Sequence, residues 1–201
     1  MQLQIVHGQI FSPSRIKMVW KDTNDVPFML FKNVQKAYPN VVFMTNGGKS
    51  TRSHHPIGLY IENGKRLSPI KTMQHPKINT SITPWGVFGI RKGKAFISTS
   101  MKQSDYTKSD FAIQAEPILV WNGKVNRRLP KGKEITRNGV GIKKDGMVYF
   151  ACLKLGYQKF AQHFIEQGCI SAIQLDNKQA EIWQKDARPS YSRFATIIVV
   201  E

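Results

Sequence analysis

The sequence predicts an α+β fold, mostly antiparallel sheet with a few packed helices, in a single compact domain spanning 1–201. Three observations carry this reading. Ten short runs are rich in β-branched and aromatic residues. Three turn pairs, Asn63-Gly64, Asn122-Gly123 and Asp145-Gly146, lie between apolar runs. Two further stretches repeat apolar residues at helical spacing. Asn-Gly and Asp-Gly favour tight two-residue hairpins, which join antiparallel strands.

In chain order, a helix is expected over 27–37, where Pro27 suits a first turn and Phe28, Phe31 and Val34 recur at helical spacing. Strands are expected at 41–44, 57–62, 86–90, 94–98, 111–114 and 118–121, then at 139–142 and 147–153. The clearest helix is 157–167. There Tyr157, Phe160, Ala161, Phe164 and Ile165 fall at i, i+3, i+4, i+7 and i+8, which makes one apolar face. Gly168 supplies a left-handed end to it. Strands at 171–175 and 195–200 follow. Residues 105–110 and 127–136 are polar loops, too short for domain linkers.

The 201 residues suffice to bury a core, and 41% hydrophobic content is that of a globular chain. Charge is the outlier, because 30 Lys+Arg face 13 Asp+Glu for a net charge of +17. A field of that sign draws polyanions to the surface, so nucleic acid, phosphorylated sugars and anionic membrane are candidate partners. No apolar run near either terminus approaches the roughly 20 residues that a bilayer-spanning helix needs. The first residues lack the basic and apolar regions of a signal peptide. Cys152 and Cys169 give no disulfide framework and suit a reducing compartment. The expectation is a cytoplasmic protein; a chain exported and then trimmed of its signal would look the same.

Several motifs are candidates for chemistry. Asn46-Gly47-Gly48 follows an apolar strand, and its glycines allow a sharp turn whose N–H groups form an anion nest. Arg137-Asn138-Gly139 opens another strand, where an arginine can grip phosphate in bidentate fashion. Asp176 ends the apolar run Ala172 to Leu175, which places a carboxylate at the edge of the core. Glu116, in Gln114-Ala115-Glu116-Pro117, is a second carboxylate for acid–base work. Taken singly, each of these is also an ordinary turn or strand end. The adjacent His54-His55 lacks metal-pair spacing, and no His-Glu-x-x-His, Cys-x-x-Cys, phosphate loop or nucleophile elbow occurs. No metal and no cofactor is expected.

The order of these motifs resembles the phosphodiester glycosidase family, and in particular its small bacterial branch. The resemblance rests on Asn46-Gly47-Gly48 followed by Pro56-Ile57-Gly58-Leu59, then Pro84-Trp85-Gly86-Val87-Phe88. It continues with the run from Ala112 to Val120, Asn122-Gly123, Arg137 to Gly141, Asp145-Gly146, Gly168-Cys169 and Ala172 to Asp176. It extends from about residue 41 to the C-terminus and is weakest over 1–40. The chain departs from the family pattern at Glu116, where a glycine is usual, and at Lys49-Ser50, where an apolar pair is usual. Asn177, Lys178 and Ala180 also depart, after the Leu-Asp pair.

The resemblance implies hydrolysis at the anomeric carbon of a sugar-1-phosphodiester or a related nucleotide-like glycoside, so the partner expected is a phosphorylated small-molecule glycoside. It implies Asp176 as the carboxylate at the oxocarbenium-like centre, with Glu116 second. Arg137 and the Gly47-Gly48 turn would cradle phosphate, and Asn46, Gln114 and Asn138 would bind sugar hydroxyls or water. The departures and the +17 charge point to an alternative: a catalytically degenerate, strongly basic protein on the same fold that binds nucleic acid or another acidic partner.

Overall fold

A computed structural model describes residues 8–71, 85–99, 106–176 and 179–201. Pro84, Asp105, Asn177 and Lys178, and the first five residues read for a signal, lie outside the described residues. In chain order the first strands are β1 (Gln9–Phe11), β2 (Ile16–Val19), β3 (Phe43–Asn46), β4 (Tyr60–Glu62) and β5 (Lys65–Ser68). Then come β6 (Gly86–Arg91), β7 (Lys94–Thr99), β8 (Phe111–Ala115), β9 (Ile118–Trp121) and β10 (Lys124–Val125). The last are β11 (Ile135–Lys143), β12 (Val148–Leu155), β13 (Cys169–Asp176), β14 (Ile182–Gln184) and β15 (Ile197–Val200). The α-helices among the described residues are α1 (Phe31–Ala37) and α2 (Tyr157–Glu166).

The strands form three sheets, ordered β1-β12-β11-β13-β9-β10, β14-β3-β15-β2 and β5-β4-β8-β6-β7. Every strand pair is antiparallel. The antiparallel expectation therefore holds, but the architecture is richer in strand than α+β implied. The reason lies in segments of mixed polarity, such as Lys65–Ser68 and Ile182–Gln184, which pair as strands without a hydrophobic run.

All three anticipated hairpins form. Asn63 and Gly64 (φ 49° and 76°) join β4 to β5, and Asn122 and Gly123 (φ 50° and 70°) join β9 to β10. Gly146, at φ 85°, turns β11 into β12. A fourth hairpin uses Lys92 and Gly93 at φ 50° and 70° between β6 and β7, and a lysine at its first turn position hid it.

Helix α2 matches its predicted span and ends at Gly168, φ 81°. Helix α1 starts four residues later than Pro27. Pro27 instead bridges Lys21, Phe28 donates its N–H to the Trp20 carbonyl, and Met29 takes a left-handed φ of 58°, so the helix cannot begin before it.

One apolar core draws on all three sheets: Phe150, Val140 and Ile173 from the first, Met18, Phe43 and Ile198 from the second, Phe88 and Ile113 from the third. A second cluster packs α1 through Phe31 and Val34 against Met44, Ile197 and Val199. A third packs Phe160, Ala161 and Phe164 of α2 over Leu119, Tyr149 and Ala172. No described helix is long and apolar enough to cross a membrane.

Candidate functional site

Beyond the end of β3 the chain makes a tight loop. Ser50 bridges Pro56, Thr51 donates its N–H to the His55 carbonyl at 2.9 Å, and His54 donates to the Thr51 carbonyl at 3.1 Å. The Trp20 indole N–H anchors the loop from below through the His54 carbonyl, at 3.1 Å. Opposite this loop β13 ends in Asp176. Between them lies a cavity of about 510 Å³ lined by Lys49, Ser50, Thr51, Arg52, His54, Ile57, Asp176 and Gln179. That volume suits a small ligand of one or two sugar-sized units. Two cationic side chains and an imidazole thus share a cavity with one carboxylate. The imidazole Nδ1 of His54 is buried and has no partner among the described residues.

Asp176 is positioned by a buried amide network. It lies opposite Asn138 in the β11–β13 pairing, where the register shifts between Asn138 and Gly139. Its main-chain N–H donates to Asn138 Oδ1 at 2.8 Å. Asn138 Nδ2 in turn faces Thr45 Oγ1, the Asn46 carbonyl and Asn46 Oδ1, each at 2.9 Å. Asn46 Oδ1 also accepts the Glu181 N–H at 2.9 Å. Both asparagines are at most 2% exposed. A buried amide without partners costs a few kcal/mol, so this network fixes β3 against β11 and holds Asp176 at the cavity. Expected as sugar ligands, Asn46 and Asn138 instead spend their polar atoms on each other and on the main chain.

The geometry gives four further candidates partners within the protein. Arg137 is 2% exposed, and its guanidinium donates to the Leu155 carbonyl (3.1 Å), Gln174 Oε1 (3.0 Å) and the Lys133 carbonyl (3.3 Å). It also stacks on Tyr157, with Cζ 3.6 Å from the ring centroid. It is adjacent to Asn138 in an extended strand, so its side chain leaves by the other face. The Gly47 N–H, expected in an anion nest, donates to the Thr196 carbonyl at 2.8 Å. Glycine is required at 47 and 48 for close packing: a Cβ there would stand 2.3 Å from Thr196 Oγ1 and 2.8 Å from the Gln114 carbonyl oxygen, respectively.

Gln114 clasps the neighbouring chain rather than a ligand. Its Oε1 accepts the N–H groups of Leu59 (3.0 Å) and Lys71 (2.9 Å), and its Nε2 donates to the Lys71 carbonyl (2.9 Å). Glu116 is 9% exposed and forms an ion pair with Lys49 through Oε1. Its Oε2 is buried with no partner among the described residues. It is not among the residues that line the cavity. The two departures from the family pattern, Lys49 and Glu116, therefore meet each other.

Of the residues expected to act as catalytic or substrate-binding groups, Asp176 alone lines the cavity. Lys49 and His54 were named in the sequence only as a departure and as half of a histidine pair, and Arg52 and Gln179 not at all, because their neighbours in space are far away in sequence and their loop has no periodicity. The adjacent histidines and the Lys49-Ser50 departure were the available signals. At Cys152, opposite Asn138 in β12, burial, and then the Glu181 carboxylate, push the thiol up to about 11, which disfavours the thiolate. Among the described residues no group of three His, Cys, Asp or Glu side chains is placed to hold a metal ion.

The sequence model of the phosphodiester glycosidase family matches residues 39–176. The Escherichia coli (strain K12) uncharacterized protein YigE is 29% identical over 203 residues, covering 93% of this chain and 77% of its own. Among solved structures, the catalytic domain of zebrafish N-acetylglucosamine-1-phosphodiester alpha-N-acetylglucosaminidase, auto-inhibited by its pro-peptide, superposes with a TM-score of 0.72. It is 14% identical, and the match covers 100% of this chain and 84% of that one. A hypothetical protein from Synechocystis superposes with a TM-score of 0.58 at 10% identity, over 96% of this chain and 59% of that one. At such identities the structural matches speak for the fold.

Proposed function

Because this chain belongs to the phosphodiester glycosidase family, we propose that it hydrolyses the bond between an anomeric carbon and a phosphodiester oxygen. The substrate class is a sugar-1-phosphodiester or a related nucleotide-like glycoside. The observation that carries this reading is the cavity that sets the Asp176 carboxylate against Lys49 and Arg52.

The chemistry asks for those groups. A phosphate ester leaves as a weak base, so it needs little protonation but gains from fixed positive charge. Arg52 supplies that charge, while Lys49 meets the ligand already paired with Glu116. As the bond breaks, positive charge develops at the anomeric carbon, and a carboxylate stabilises it or attacks it. Asp176 is the carboxylate in the cavity. Asn138 and Asn46 act one step back, as positioning residues that hold the Asp176 main chain. Water enters at the anomeric carbon, giving a sugar hydroxyl and a phosphate monoester.

Steady-state turnover of sugar-1-phosphodiesters by Asp176→Asn tests the assignment. Loss of the charge should lower kcat by about 10²-fold or more while the unfolding midpoint stays close to that of wild type. Unchanged turnover would remove Asp176 from the chemistry.

A second reading, a basic binding protein on this fold, is favoured by the net charge of +17 and by the burial of Arg137 away from any anion. Its partner would be nucleic acid. Filter binding of DNA and RNA at low salt separates the two readings.

A further inference from the structure

The ion pair between Lys49 and Glu116 changes the charge that the cavity presents. The lining holds two cations, Lys49 and Arg52, against Asp176. Lys49 is already paired: Glu116, 9% exposed, engages it from behind the wall. Among the described residues that line the cavity, Arg52 is thus left as the one uncompensated cation. Glu116 has its Oε2 buried without a partner among the described residues and is not among the residues that line the cavity.

We infer that Glu116 is a specificity-determining residue: by neutralising Lys49 it matches the cavity to the single charge of a phosphodiester and against the double charge of a phosphomonoester. This rests on the reading of the cavity as a phosphodiester site. The reaction gives the pairing a purpose. Hydrolysis adds water across the bond, with hydroxide ending on the sugar and the proton on the phosphate oxygen. That oxygen then releases its proton, and the monoester leaves with one more negative charge than the diester had. A cavity with a second free cation would retain this product.

Two probes isolate charge from turnover: dimethyl phosphate, a monoanionic diester, and methyl phosphate, a dianion at about pH 8. Their affinities for the full chain are measured by titration calorimetry or by chemical-shift perturbation. Wild type is expected to bind dimethyl phosphate at least as tightly as methyl phosphate. Glu116→Gln keeps the side-chain shape and should shift the ratio toward methyl phosphate by about tenfold, the scale of one added charge near a partly screened site. Lys49→Met should weaken both probes, and in the Lys49→Met/Glu116→Gln double variant the shift should vanish. An unchanged ratio in a folded Glu116→Gln protein, or no binding of either probe to wild type, overturns the inference. Failure of diester turnover with the ratio shift intact would instead sink the proposed reaction and leave the charge matching in place. Turnover with an unchanged ratio would do the opposite.

Discussion

Removing the guanidinium of Arg137 and removing the charge of Asp176 act on different properties of the protein. Arg137→Ala leaves two main-chain carbonyls and Gln174 without their donor and empties the space over Tyr157. A loss of about 3 kcal/mol in unfolding free energy is expected from denaturant titration, with any loss of activity following from the fold. Asp176→Asn should show the reverse pattern. The sequence marked both residues as polar groups at strand ends, and nothing in a one-dimensional pattern says on which face of a strand a long side chain leaves. Asp176 was legible because an apolar strand ended on it. Lys49 and Arg52 were not legible, because Glu116, which pairs with Lys49, and Asp176, which shares the cavity with both, stand more than sixty residues further along the chain.

Another single group sets a pH dependence. Burial raises the Glu62 carboxyl above its ordinary 4.5, against hydrogen bonds from the Tyr60 hydroxyl and the Trp20 N–H that favour the ionised form. The native protein therefore holds that proton more tightly than the unfolded chain does. The resulting stability is fully present below pH 4.5 and is lost as pH rises through the native value. Thermal midpoints measured from about pH 4 upward should fall less in Glu62→Gln than in wild type. Parallel curves for the two proteins would remove Glu62 as the cause.

At the scale of elements, the turn after β3 is where packing tolerates least. A Cβ at residue 48 meets main-chain oxygen at Gln114, which cannot rotate away. Gly48→Ala should therefore cost about 1–3 kcal/mol and shift the loop that carries Lys49, Arg52 and His54. A raised KM beside a lowered unfolding midpoint is the expected signature; a midpoint equal to wild type would show that the turn accommodates a methyl group. Element prediction succeeded where chemistry is local. The Asn-Gly turns and the apolar face of α2 fixed their own conformations. It failed for β5, β10 and β14, whose residues become strands only because a neighbour offers an edge. It failed for the start of α1 because Phe28 is drawn into a hydrogen bond with Trp20, 8 residues back.

At the scale of the whole molecule, the net charge of +17 sets long-range behaviour irrespective of the site. Affinity for nucleic acid, if it is the biological partner, should fall linearly in log–log form with salt, by about 0.9 per phosphate contacted on duplex DNA. Hydrolysis of a monoanionic small substrate should depend on salt far less. Titrations of both activities across ionic strength compare the two readings directly; absence of nucleic-acid affinity at low salt would dismiss the second. The general architecture was readable because antiparallel hairpins are specified by adjacent residues, whereas the assembly of three sheets around one core depends on contacts between distant ones.

The Asn46–Asn138 tie joins strands 92 residues apart and sets the Asp176 carboxylate beside the cationic loop. A chain emerging from the ribosome has Lys49 and Arg52 long before it has Asp176. Until β11 and β13 arrive and the two amides meet, it exposes a basic loop with no carboxylate to work with. The cavity gains its carboxylate only when the last of its contributing strands has docked, so on the proposed reading a truncated or stalled product would be silent while still attracting anions.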